Sequence, residues 1–198
     1  MSQTIISHPL SGDPDEQDTL SLTGVELAES YSRIFWLMLL LMFDIRVGSF
    51  SCLHLVTYGL LASALRPLAF RNRRFAICRR LCFSLMAVGA AVPALPAPIW
   101  LGAGQFVGGV LHLAFIWNLL DTVARDFDAR GVFDLAQSAR TRRFWYCLHS
   151  LVSMPCYFLI PHKQLAVTLI ITLAVLWLIV EILVLSFFRR ARLALLSL

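Results

Sequence analysis

Apolar residues occur along this chain in long blocks, separated by short charged or proline-marked breaks. Residues 1–20 are polar and acidic and are broken by Pro9, Gly12 and Pro14, the composition of a disordered tail. A folded domain over residues 21–198 follows, and from its start the spacing is helical. The apolar stretch 34–65 would measure about 48 Å as one helix, too long for an ordinary span of the hydrocarbon core. Asp44, Arg46 and Gly48 interrupt it at its centre. The pattern therefore predicts a helix to about Phe43, a turn through DIRVGSF and a return helix over 50–65; a single strongly tilted helix is the alternative.

The next block, RPLAFRNRRFAICRR, holds six arginines in fifteen residues and leads into the apolar run 81–92. PALPAP then marks a turn before the apolar run 99–120. Residues 121–143 are charged but keep helical spacing around Gly131, which reads as a helix C-cap, and Asp134 with Gln137 resembles a capping box that restarts the chain. A last hairpin is predicted from 144–160, a PHKQ turn and 165–188, closed by RRAR. The whole reads as an all-α, polytopic transmembrane bundle of three helical hairpins, with five to six membrane segments.

Composition supports lipid as the solvent. Hydrophobic residues are 59% and charged residues 15% of 198, with a mean hydropathy of +0.75, more apolar surface than a soluble domain of this size could hide. The lipid bilayer is thus the first expected partner. The net charge of +5 comes almost wholly from arginines at the ends of apolar runs, which is membrane topology and not a nucleic-acid surface. Arg71, Arg73, Arg74, Arg140, Arg142 and Arg143 fall in two of these connections, placed in the cytoplasm with the RRAR tail, opposite PALPAP and PHKQ. The N-terminus is cytoplasmic if the first segment is a hairpin and external if it is one span.

The first thirty residues hold six acids and no lysine or arginine, unlike a secretory signal or an organellar presequence. A bacterial inner membrane is the simplest location. Five cysteines without a CxxC pair, all in or beside apolar segments, predict buried thiols and neither disulfides nor a zinc site. No metal or other cofactor is expected.

Arg71-Asn72-Arg73-Arg74-Phe75-Ala76-Ile77-Cys78 recurs 69 residues later as Arg140-Thr141-Arg142-Arg143-Phe144-Trp145-Tyr146-Cys147. Either this is what any cytoplasmic helix entrance looks like, or the last two hairpins are a parallel internal repeat. The same offset sets His112 over Glu181, at one depth about 12 Å inside the helix ends, with His149 near that level.

An ionisable residue inside a span costs on the order of 2.5 to 3.5 kcal/mol and so invites a partner or a purpose. Asp44, Arg46, His112 and Glu181 are such residues. A Glu181 to His112 hydrogen bond would satisfy both, as a structural pair or as a protonation site. Asp44 and Arg46 either pair at a wetted turn or line a re-entrant loop. His54, His112 and His149, on three apolar helices, are the minimum for bis-histidine haem ligation, against the commoner use of single histidines as interhelical donors. Gly104 and Gly108 give a small-xxx-small face for close packing, within the chain or with a partner. Phe35, Trp36, Phe144, Trp145 and Tyr146 are placed as interfacial anchors. No nucleophile and base pair, phosphate loop, HExxH motif or paired catalytic carboxylates occurs, so no enzymatic activity is expected.

The run LLLMFDIRVGSFSCLHLVTYGLLASAL, followed by its arginine-rich stretch, resembles a group of small bacterial multi-pass membrane proteins in which an apolar helix ends in FDI or FDL and an IGY-like helix follows. Phe43-Asp44-Ile45 and Tyr58-Gly59-Leu60-Leu61 are the matching residues, and DLAQSARTRRFWY resembles the group's later charged helix opening. Cys52-Leu53-His54 stands where that group has an acidic-proline motif. The resemblance implies topology and no activity.

Three functions are compatible with these features. The first is a non-catalytic accessory or scaffold subunit of a larger membrane complex, with other membrane subunits as partners. The second is a small proton-coupled transporter or channel-like protein using Glu181, His112 and Asp44. The third is a haem-binding electron carrier.

Overall fold

The computed structural model describes residues 24–41, 52–92, 98–156 and 163–196. Seven helices follow one another there: α1 (Gly24–Leu41), α2 (Cys52–Ala64), α3 (Arg66–Arg71), α4 (Arg73–Ala91), α5 (Pro98–Ala129), α6 (Phe133–Cys156) and α7 (Lys163–Leu196). No strand occurs among the described residues. The acidic tail, the DIRVGSF turn with Asp44 and Arg46, residues 93–97 of PALPAP and the first two residues of PHKQ lie outside them; Lys163 and Gln164 of PHKQ already belong to α7.

The first apolar stretch is two helices that pack on each other, with His54 Nε2 of α2 donating to the Leu41 carbonyl that ends α1 at 3.3 Å. This is the hairpin and not the single tilted helix. Helix α2 continues almost unbroken into α3, because Leu65 N donates to Leu61 O and Ala69 N to Leu65 O, both at 2.9 Å. Pro67 stands in the first turn of α3, the part of a helix that tolerates proline, and its missing N–H marks the break from α2.

Asn72 is extended at φ −137°, and its side chain accepts from Arg74 N at 2.9 Å. That cap starts α4 at Arg73, well before the apolar run 81–92. The arginine-rich block is therefore helix. Phe75, Cys78, Cys82 and Leu85 form its buried face at helical spacing, which leaves Arg79 and Arg80 on other faces.

Helices α5 and α6 meet in a tight reversal. Gly131 takes φ +75°, Gly131 N donates to Asp128 O at 3.0 Å and Val132 N to Phe127 O at 2.9 Å, the paired bonds of a glycine-terminated helix. Asp134 does not open α6 as an N-cap: the helix already begins at Phe133, and Asp134 stands in its first turn.

Around the bundle α1 packs on α2 and α7, α2 on α4, α4 on α5, α5 on α6, and α6 on α7, which closes a ring. At one end Tyr31 of α1 meets Phe127 of α5 and Phe188 of α7 at ring distances of 5.9 and 6.2 Å. Phe127 and Phe188 lie beside the charged segments, so α1 starts at the arginine-rich end of the bundle.

Among the described residues two helices are long and apolar enough to cross a membrane, over Phe106–Ala129 and Ile171–Leu196, against the five to six segments read from the sequence. The outer face of α7 is apolar for most of its length, with Leu169, Ile171, Val175, Leu176, Leu178, Ile179, Ile182 and Leu183 each 40% to 58% exposed. A water-facing helix would carry polar residues there. Trp36, Phe144 and Trp145 also point outward, at 61%, 60% and 50%. Tyr146 does not: it is 4% exposed, an interior residue and not an anchor.

Candidate functional site

Four polar side chains converge inside the ring, each carried inward by the apolar periodicity of its own helix. Tyr58 precedes buried Leu61, Ala62 and Leu65 on α2, and His112 precedes buried Phe115, Ile116 and Leu119 on α5. Tyr146 follows buried Ala139 by two turns on α6, and Glu181 precedes buried Val184, Leu185 and Phe188 on α7.

The Tyr58 hydroxyl and His112 Nδ1 share a hydrogen bond at 2.6 Å. The His112 ring lies 6.1 Å from that of Tyr146, and the Tyr146 hydroxyl bonds to the Glu181 carboxyl. Glu181 is 3% exposed, and its Oε2 has no hydrogen-bond partner among the described residues. His54 joins the other end, its ring 6.4 Å from that of Tyr58. A polar line thus runs from α2 through α5 and α6 to α7, in the order Tyr58, His112, Tyr146, Glu181.

This geometry corrects the direct Glu181 to His112 bond expected from the 69-residue offset. The two residues do meet in one cluster, but Tyr146 stands between them. His149 is placed elsewhere: its Nε2 donates to the Leu173 carbonyl of α7 at 3.1 Å, about 12 Å along the helix from Glu181.

No known family, curated protein or solved structure matches the chain.

At the arginine-rich end a second cluster forms around one carboxylate. Asp121 accepts from Arg125 at 2.9 Å, from Arg74 at 3.4 Å and from Arg143, whose guanidinium also lies 4.5 Å above the Trp117 ring. Arg74 and Arg143 are the equivalent positions of the RxRRFxxC repeat, so the two copies bring the same arginine to the same acid. Their neighbours diverge, Phe75 being 2% and Phe144 60% exposed. Arg140 pairs instead with Asp128, and Arg142 bonds to the Leu183 carbonyl at 2.6 Å. Arg73 opens α4 and Arg71 ends α3.

The small-residue face of α5 lies against α4. A Cβ on Gly104 would overlap the Val92 side chain, and one on Gly108 would touch Val88 at 3.8 Å. Among the described residues no cluster of three His, Cys, Asp or Glu could hold a metal. Each of the three candidate haem ligands is engaged by protein: His54 by the Leu41 carbonyl, His112 by Tyr58 and His149 by the Leu173 carbonyl.

Tyr58, Tyr146 and Asp121 are the members that sequence reasoning did not single out as site residues. The signal for Tyr146 was available in its spacing from Ala136 and Ala139, which places it on the inner face. For Asp121 nothing local distinguishes it from Asp126 or Asp128.

Proposed function

We propose that this chain is a multi-pass protein of a bacterial inner membrane, its arginine-rich end and C-terminus cytoplasmic, that carries protons on Glu181 as part of a proton-coupled transport activity. The observation that carries the reading is the buried Glu181 carboxyl, with one oxygen unpartnered among the described residues, beside Tyr146, whose ring lies 6.1 Å from that of His112. A carboxyl held this deep between helices with apolar outer faces is costly to bury, which supports a place on an ion or proton pathway. Every member of the line is a hydroxyl, imidazole or carboxyl, groups that both donate and accept hydrogen, so a proton can enter at one end as another leaves.

The likeness of LLLMFDIRVGSF and TYGLL to small bacterial multi-pass proteins supports the location. The accessory-subunit alternative drew on the Gly104 to Gly108 face, and that face is filled by Val92 and Val88 of the same chain. The haem alternative draws on histidines that already hold protein partners.

The test is infrared difference spectroscopy of the protein in lipid vesicles across a pH titration, beside proton flux read with an entrapped pH dye. A titrating carboxyl band that disappears in Glu181→Gln, with flux lost and assembly intact, is the expected result. Unchanged flux in Glu181→Gln, or no titrating carboxyl assignable to that residue, would remove the reading.

A further inference from the structure

The arginines of the charged end are not used alike. Arg74, Arg125 and Arg143 share Asp121, Arg130 has Asp126 and Arg140 has Asp128. Arg142 differs. Its guanidinium donates to the Leu183 carbonyl at 2.6 Å, the Ser138 carbonyl at 3.2 Å, the Ser138 hydroxyl and the Ser186 hydroxyl at 3.5 Å, and lies 5.4 Å above the Phe187 ring. Every one of these partners is neutral. Arg190, another cation, stands one turn beyond Ser186 on α7, so helical spacing puts it on the face that Arg142 contacts. Among the described residues no carboxylate pairs with Arg142, Arg189 or Arg190.

Two arginines without a carboxylate partner among the described residues therefore belong to one face of the α6 and α7 seam. Two such cations, Arg142 partly buried and Arg190 exposed, are stabilised by an anion that both can reach. What surrounds the seam selects the anion's chemistry. Leu148 and Leu151 on α6 and Ile179 and Ile182 on α7 are 41% to 58% exposed and run from the seam toward the other end of the bundle. An occupant with a negative head and a long apolar body matches both halves of this surface; a soluble anion matches one.

We infer that the seam of α6 and α7 is a binding site for an anionic phospholipid, its phosphate held by Arg142 and Arg190 and its acyl chain laid along the exposed apolar faces of the two helices. The inference rests on the membrane reading above and is independent of the proton chemistry. It predicts that the lipid fixes the α6 to α7 distance, and with it the Tyr146 to Glu181 contact, since Arg142 and Tyr146 are one turn apart on α6.

The experiment is native mass spectrometry of the full chain in mild detergent with equal added phosphatidylglycerol and phosphatidylcholine. The wild type should retain phosphatidylglycerol up to about thirtyfold over phosphatidylcholine, the scale set by two interfacial cations. Arg142→Gln and Arg190→Gln should each erode that preference, and Arg140→Gln, whose cation is paired with Asp128, should keep it. Arg190 is exposed, so its variant remains readable if Arg142→Gln fails to fold. Equal retention of the two lipids, or displacement of phosphatidylglycerol by inorganic phosphate, overturns the assignment while leaving the membrane reading standing. A chain that stays dissolved without detergent removes both.

Discussion

The Tyr58 hydroxyl and His112 Nδ1 are 2.6 Å apart, although 54 residues separate them in the chain. This bond fastens α2 to α5 across the bundle, between helices whose remaining contacts include the edge-on meeting of Tyr58 and Phe115 at 6.4 Å. Replacing Tyr58 by Phe keeps the ring and strands a buried ring nitrogen. The expected loss is about 1 to 3 kcal/mol, measured as a lower thermal midpoint in detergent, and Tyr58→Phe unfolding at the wild-type temperature would show that the bond holds nothing.

Glu181 should behave in the opposite way. A buried carboxyl with an unpartnered oxygen is a cost to the fold that Gln, which can still accept from Tyr146, does not increase. Glu181→Gln is therefore expected to leave the thermal midpoint unchanged or raised while proton uptake is lost, the pattern of a functional residue held at the expense of stability. A large drop in midpoint with retained uptake would assign Glu181 to structure alone.

Gly104 and Gly108 differ in what they tolerate. A methyl at Gly104 meets the β-branched Val92, which cannot turn aside freely, whereas at Gly108 it meets Val88 at an ordinary 3.8 Å. Gly104→Ala should cost about 1 to 3 kcal/mol by overpacking, and Gly108→Ala should be near neutral. Reversing that order in a thermal or detergent-resistance series would contradict the α4 to α5 packing.

Asp121 gathers three arginines, but they are not equal. Arg143 is 22% exposed, Arg125 55% and Arg74 48%, and solvent screens the last two. Arg143→Gln should lower stability by roughly 1 to 2 kcal/mol, and Arg74→Gln or Arg125→Gln by less than about 1 kcal/mol. Unfolding at low and high salt checks this: the Arg74 and Arg125 effects should fade with salt, and the Arg143 effect should persist.

The alternation of apolar and charged blocks was enough to determine the helical class, the reversal at Gly131 and the gathering of arginines at one end. Each of those follows from local rules, since a helix forms where apolar side chains repeat at its period and a guanidinium stays near water. The 69-residue offset of the repeat also set His112 and Glu181 together at one level. Their connection was another matter. That Tyr146 would stand between them, that Arg74 and Arg143 would close on one aspartate, and that Arg142 would turn to a carbonyl of α7 depended on how neighbouring helices are rotated and offset. Rotation and offset are set by the sum of many side-chain contacts between segments far apart in the chain, so no short stretch of sequence contains them, and only the packed bundle does.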